Sequence, residues 1–344
     1  MSDTTQVYLI TGFLGAGKTT FLNRIIKRFP RSKKLTLLVN EFGEIGVDGT
    51  LVEGEDIDMM EISKGSIFCV CVKTDFIKGL YQLSTTLKPD VLLIESTGVA
   101  NPSDLKSDLK LPIFKERFLF KEQFCIIDAP HFLDAYEVYA SIEKQIASSS
   151  VFVINKADKA SPESIAAVRE IVRKFHPAPL FFETTYADIP LEKFFDFSPE
   201  TPTATVNAPD GEPAGAMSSE ELEQFLDDLL DSPDLQITPP DLLMSVAYQW
   251  TGENIEQIKE MARALPAKVV RAKGFFEEEG KTLLFNFVMG DWSIEDPHIP
   301  GERVKHKNII VFIGHPTAMD DIEAATRSGS WIHLGAYQPY SQPQ

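Results

Sequence analysis

Residues 12–19 read Gly-Phe-Leu-Gly-Ala-Gly-Lys-Thr, and they directly follow the apolar run Val7-Tyr8-Leu9-Ile10. Glycines at this spacing let a loop turn its backbone N–H groups onto a phosphate, with a lysine and a hydroxyl waiting at the start of the next helix. Lys18 would reach the β- and γ-phosphates and Thr19 would hold Mg²⁺. Downstream, Phe21-Leu22-Asn23-Arg24-Ile25-Ile26 continues at helical spacing, so strand, loop and helix stand in the order this chemistry needs. Gly12, Gly15, Ala16, Gly17, Lys18, Thr19 and Thr20 are the residues expected around the phosphates.

Further apolar, β-branched runs recur at 35–39, 91–94, 124–127, 151–154 and 180–182. Helical patterns at 17–29, 74–86, 131–147 and 162–175 lie between most of them, the last with Ser161 as N-cap and Pro162 at its first position. This alternation predicts a P-loop α/β domain with a doubly wound, mostly parallel sheet, in which functional residues follow the strands. Residues 198–217 are rich in Pro, Ala, Thr and Gly, and a capping box, Ser218-x-x-Glu221, opens an acidic helix after them. Beyond about Asp241, strands at 243–249, 268–276, 282–288 and 309–313 with helices near 252–264 and 317–327 predict a second, smaller α+β domain. The expected organisation is a nucleotide domain over 1–197, a linker with the acidic helix over 198–240, a C-terminal domain over 241–335 and a tail over 336–344.

At 344 residues the chain has enough length for two cores. Its 51 acidic against 33 basic residues give a net charge of −18, which opposes binding to nucleic acid or to an anionic membrane and favours cationic partners. The first residues carry neither a basic region nor a long apolar core, and no apolar run approaches the roughly 20 residues of a spanning helix, so a cytoplasmic protein is expected. Three cysteines, Cys69, Cys71 and Cys125, cannot all pair within one chain, and reduced thiols are expected.

A phosphate loop needs a Mg²⁺-organising acid at the end of another buried strand, and Val91-Leu92-Leu93-Ile94-Glu95 supplies Glu95. Three residues on, Gly98 would bring its backbone N–H to the γ-phosphate. After the strand at 151–154 comes Asn155-Lys156-Ala157-Asp158. A carboxylate at Asp158 accepts from guanine N1–H and the 2-amino group, a pairing adenine does not offer, while Lys156 packs its stem along the base. The segment Glu183-Thr184-Thr185 follows the next strand and is a further place for a guanine contact.

With residues 12–19, then Asn40-Glu41-Phe42-Gly43-Glu44, Glu95-Ser96-Thr97-Gly98 and Asn155-Lys156-Ala157-Asp158, the chain resembles the CobW-like GTPases, relatives of the nickel-delivery GTPases of urease and hydrogenase maturation. The resemblance covers about residues 5–190, and Arg271-Ala272-Lys273-Gly274-Phe275, Trp292 and Phe312-Ile313-Gly314 look like the family's C-terminal domain. It implies a GTP-dependent metallochaperone handling zinc or cobalt, with the segment ending in Glu44 as a switch near nucleotide and metal. The family's metal motif is Gly-Cys-x-Cys-Cys, where this chain has Gly65-Ser66-Ile67-Phe68-Cys69-Val70-Cys71. Ser66 and Phe68 replace two of the three cysteines, Cys69 keeps its place, and Cys71 is a new thiol.

Two thiolates with one or more carboxylates suit tetrahedral Zn²⁺ or Co²⁺ better than Mg²⁺ or Ca²⁺. In an ideal strand residues i and i+2 stand roughly 7 Å apart, farther than the roughly 4 Å between ligands of one zinc, so Cys69 and Cys71 need a tight turn to share an ion. Glu44 or Glu61 would complete the set. The alternatives for the two thiols are burial as small apolar groups or a strained redox pair. Cys125, inside an apolar strand, reads as core. The six histidines, His131, His176, His298, His306, His315 and His333, show no metal-ligand spacing. The reading reached is a slow GTPase acting through Lys18 and Glu95, using Mg²⁺, with Thr19, Glu95, Glu44, Cys69 and Cys71 as metal ligands and a metalloenzyme or corrinoid protein as client. Its alternatives are a maturation factor that carries no metal and a docking switch that holds GTP without turnover.

Overall fold

A computed structural model describes residues 4–40, 58–62, 70–96, 102–198, 217–230, 243–297, 304 and 306–337. The expected calls on Glu44, Cys69 and Gly98 lie outside the described residues.

Strand β1 (Thr5–Thr11) forms the middle of a seven-stranded sheet because both of its faces are apolar. Val7 and Leu9 point into one buried cluster with Phe76, Leu80 and Leu105, and Tyr8 and Ile10 into another with Phe21, Leu22 and Ile25. Strands covered on both faces read as continuous apolar runs, which is why the sequence shows them so plainly. Beside β1 lie β4 (Val91–Glu95) and β5 (Phe118–Asp128), and outside them β2 (Leu35–Asn40) and β3 (Asp58–Ile62) on one side and β6 (Val151–Asn155) and β7 (Leu180–Glu183) on the other. Every pairing in this sheet is parallel. The chain runs from β1 to β2 and β3 on one side, returns to insert β4 between β2 and β1, and then continues through β5, β6 and β7 on the other side. The direction therefore reverses beside β1, where ligands bind in such sheets.

Helices α1 (Lys18–Arg28), α2 (Val70–Gln82), α3 (Pro102–Asp108), α4 (Phe132–Val138), α5 (Ala140–Ser148) and α6 (Pro162–Arg173) connect the strands. Ser161 caps α6 by accepting from the Ser164 N–H, with Pro162 at the start, as the sequence predicts. Helix α3 was not among the expected helices, and three further elements differ from expectation. Strand β3, at the edge of the sheet, was not expected: with Asp58 and Glu61 among its five residues it has no apolar run to announce it. The helix expected over 131–147 is two helices, because Tyr139 takes extended dihedrals of −112° and 110° between them. Helix α2 starts at Val70, four residues early, and Cys71 therefore lies in its first turn.

The acidic helix α7 (Ser219–Leu230) has its capping box: the Ser218 N–H donates to Glu221 at 2.7 Å and the Glu221 N–H to the Ser218 hydroxyl at 3.2 Å. Its apolar stripe, Leu222, Leu226 and Leu229, packs on the cluster that holds Phe76, Ile77 and Leu80 of α2. Lys78 pairs with Glu223 at 2.6 Å and Tyr81 bonds the Met217 backbone. The segment expected as a linker thus carries a helix fastened to the first domain.

The second domain is an antiparallel sheet of β8 (Met244–Trp250), β9 (Val269–Glu278), β10 (Lys281–Val288), β11 (Asp291–Glu295), β12 (Ile309–Gly314) and β13 (Trp331–Tyr337), in the order β11-β10-β9-β12-β8-β13. The two edge strands, β11 and β13, were not expected; β11 alternates exposed and half-buried residues and has no apolar run to announce it. Helices α8 (Glu256–Ala264) and α9 (Met319–Ala325) cover one face, burying Ile258, Met261 and Ile322 against Phe276, Phe285 and Phe312. From the opposite face Phe275, Leu284, Val311 and Ile313 enter a cluster shared with Phe13, Leu14, Phe132 and Ile154 of the first domain. At about 1.5–3 kcal/mol for each large apolar side chain taken from water, this shared core holds the domains together.

Candidate functional site

The chain leaves β1 at Thr11 and bends back over the sheet. Gly12 has φ +141°, and a Cβ there would meet the Ile126 carbonyl oxygen at 2.2 Å, so the loop lies directly on β5. Gly17 has φ +105° and caps α1 without a side chain. The first turn of α1 contains no acid, which leaves its positive end to face the cleft. Lys18, 6% exposed, donates to the carbonyl oxygens of Gly12 at 2.9 Å and Phe13 at 3.2 Å, curling the loop around its own ammonium.

Glu95 ends β4 opposite Ile10 of β1 and is 5% exposed, and the following Ser96 N–H donates to the Ile10 carbonyl at 3.0 Å. The acid is thereby fixed at the mouth of the strand next to the phosphate loop.

Asn155, at the end of β6 and 3% exposed, is the tie between two parts of the site. Its Nδ2 donates to the Ala16 carbonyl at 2.8 Å, and its Oδ1 accepts from the Ala187 N–H at 2.8 Å. One amide therefore holds the phosphate loop against the segment after β7. Lys156 has a left-handed φ of 57° and donates to Asp128 at 2.8 Å. Asp158 is exposed and accepts from the Thr185 hydroxyl at 3.0 Å. Of the segment Glu183-Thr184-Thr185, Thr185 joins the base-recognition motif, whereas Glu183 is engaged by Arg169 of α6 at 2.5 Å.

Gly15, Gly17, Lys18, Thr19, Thr20 and Glu95 line one cleft with Asn155, Lys156, Asp158 and Thr185. Its volume of about 1020 Å³ reaches the upper range for small-molecule sites. Far-wall residues, among them Arg271, Lys273, Asn286, Asp291 and Trp292, come from the second domain. Hydroxyl and carboxylate oxygens at Thr19 and Glu95 form the hard donor set that suits Mg²⁺.

Asp128 and His131 belong to this constellation, and the sequence reading did not select them. His131 Nδ1 lies 3.3 Å from Asp128 Oδ2, and its Nε2 lies 3.3 Å from Asp291 of the second domain. The Asp128 carboxylate beside it raises the imidazole above its ordinary value, against the burial that lowers it. Lys156, Asp128, His131 and Asp291 thus form a chain of polar contacts from the base motif to the neighbouring domain. The available signal was Phe124-Cys125-Ile126-Ile127-Asp128, an acid after a buried run, the same pattern that singled out Glu95.

Cys125 is core, and burial pushes its thiol up to about 12. Among the described residues no group of three or more His, Cys, Asp or Glu is arranged to hold a metal ion, and no helix is long and apolar enough to cross a membrane.

The family model described as CobW/HypB/UreG, nucleotide-binding domain, matches residues 6–183, and that of the cobalamin synthesis protein cobW C-terminal domain matches residues 245–328. The zinc chaperone YeiR of Escherichia coli is 38% identical over 48% of this chain and 50% of its own length. The zinc chaperone CobW of Sinorhizobium is 29% identical over 48% of this chain and 54% of its own. With these two relatives the chain shares about half their length. The zinc chaperone YjiA of Escherichia coli is 25% identical over 93% of this chain and 96% of its own.

Proposed function

The chain belongs to the CobW/HypB/UreG family, and from that premise we propose that it binds Mg²⁺-GTP, hydrolyses it slowly to GDP and phosphate, and couples nucleotide state to delivery of zinc or cobalt to a client protein. The observation that carries this reading is the single cleft in which the Asn155 amide bonds the phosphate loop to the base motif. There the backbone of Gly12, Gly15, Ala16 and Gly17 would contact the phosphates, with Thr20 beside them; Gly98, outside the described residues, is proposed as a further γ-phosphate contact. Lys18 stabilises charge on the transferring phosphoryl group. Thr19 and Glu95 would hold Mg²⁺, which when bound neutralises charge between the β- and γ-phosphates. Asp158 accepts from guanine N1–H and the 2-amino group, with Asn155 and Lys156 shaping the floor under the base. The GTPase unit spans 1–197, and α7 of the 198–240 segment braces it; the 241–335 domain closes the cleft.

Metal cargo is supported by relatives that are named zinc chaperones. Glu44, Cys69 and Cys71 are the proposed ligands, and Cys125 is not one, since burial opposes its thiolate. Replacement of two family cysteines by Ser66 and Phe68 favours a second reading, a maturation switch for a metalloenzyme or corrinoid system that carries no metal itself.

Competitive Zn²⁺ and Co²⁺ titration of the protein loaded with a non-hydrolysable GTP analogue or with GDP separates them. Coupling of the usual size changes metal affinity about 5–150-fold between the two forms. Affinity also falls in acid, as thiolates protonate. An affinity indifferent to nucleotide removes the coupling, and one unchanged in the Cys69→Ser, Cys71→Ser double variant places the metal elsewhere.

A further inference from the structure

The second domain turns the sheet face opposite α8 and α9 toward the phosphate loop. Along β9 the side chains alternate: Ala272 packs with the α8 and α9 cluster, so Arg271 and Lys273 project from the other face. Both line the cleft with Gly15, Gly17 and Lys18. Val288 of β10 stands directly opposite Arg271 in the antiparallel register, and Asn286 opposite Lys273. Side chains so paired share a face about 5 Å apart. A Cβ on Gly15 would lie only 2.6 Å from Val288 Cγ2, so Arg271's cross-strand neighbour touches the fourth residue of the phosphate loop. The charge balance is local as well: the cleft is lined by seven Lys and Arg against four Asp and Glu, in a chain with 33 against 51. The excess lies on the first-domain wall, and on the second-domain wall Arg271 and Lys273 stand with Asp291 and Glu295, so the two cations face the phosphate loop from a wall of balanced charge.

We propose that Arg271 and Lys273 are phosphate-binding residues that contact the γ-phosphate of GTP from the second domain, so that this domain senses whether the triphosphate is intact. The inference rests on the GTP-binding reading above. A guanidinium fork matches phosphate oxygens in pairs, and a lysine adds a point charge beside it.

The test measures affinities of full-length protein, with Mg²⁺, for a fluorescent non-hydrolysable GTP analogue and for fluorescent GDP. Variants are Arg271→Ala, Arg271→Gln, Arg271→Lys and Lys273→Ala, each checked by thermal melting. Arg271→Gln keeps the stem and its packing while removing the charge. The expected result is a loss of about tenfold or more in analogue affinity for Arg271→Ala and Arg271→Gln, with GDP affinity held within about twofold and Arg271→Lys intermediate. Lys273→Ala shifts the same ratio in the same direction. An analogue-to-GDP ratio unchanged in all four variants overturns the inference while leaving GTP binding intact. Wild-type protein that binds neither nucleotide overturns the GTP reading itself.

Discussion

Replacing Asn155 by Ala removes two buried bonds at once and leaves the Ala16 carbonyl and the Ala187 N–H facing a small void. Each orphaned backbone group costs about 1–3 kcal/mol, so the variant loses on the order of 4 kcal/mol. With a urea m-value of about 3 kcal/mol/M, the unfolding midpoint falls by roughly 1 M. Urea titration followed by circular dichroism reads this directly. Asn155→Asp retains the acceptor for Ala187 but sets a carboxylate oxygen against the Ala16 carbonyl, and it is expected to fall at least as far. Because the amide holds the loop rather than the base, GTP and GDP weaken together in Asn155→Ala while preference over ATP survives through Asp158. A midpoint within about 0.2 M of wild type, on the order of 0.5 kcal/mol, refutes the tie between loop and base motif.

Asp158→Asn is expected to weaken GTP and to favour xanthosine triphosphate, whose 2-oxo group needs a donor; competition binding with both nucleotides and ATP checks it, and unchanged GTP preference removes Asp158 from base recognition. Lys18→Ala abolishes phosphate release by losing both binding and charge stabilisation, whereas Glu95→Ala keeps most GTP affinity and loses turnover; equal hydrolysis in both variants and wild type displaces the site. Burial raises the Asp108 carboxyl to about 6 despite Lys73 at 2.9 Å. Its folded value lies above its unfolded one, so its contribution is fully present below about pH 4 and is lost as pH rises to about 6. By the linkage relation the stability of wild type relative to Asp108→Asn falls by on the order of 3 kcal/mol between pH 4 and 7, and a flat difference in melting experiments would sink the assignment.

What the sequence made legible was whatever geometry forces on residue type. Gly12 and Gly17 occupy dihedrals that side chains rarely adopt, so the loop is written in its letters. Strands β4 and β6 are covered on both faces and therefore spell almost unbroken apolar runs. Edge strand β11 alternates exposed and half-buried residues and looks like a polar connection, and β3, at the other sheet's edge, holds two acids in five residues. Tyr139 separates two helices through its backbone alone, and a tyrosine in an amphipathic stretch gives no warning of it. His131 escaped because its partners, Asp128 and Asp291, lie 3 and 160 positions along the chain, and only folding brings the second within 3.3 Å.

Phe13 and Leu14 sit inside the phosphate loop, yet their side chains belong to the core shared by the two domains. The loop that would grip a nucleotide is also the hinge pin of the molecule. Prying the second domain away to let a spent nucleotide escape wets these two side chains, at about 1.5–3 kcal/mol each, or roughly one to two powers of ten in rate apiece when the transition state is fully open. If the proposed nucleotide leaves only when this core opens, its residence time would be set by greasy residues that touch no ligand. Trimming Phe13 or Leu14 becomes a way to change how long the protein remembers its last nucleotide.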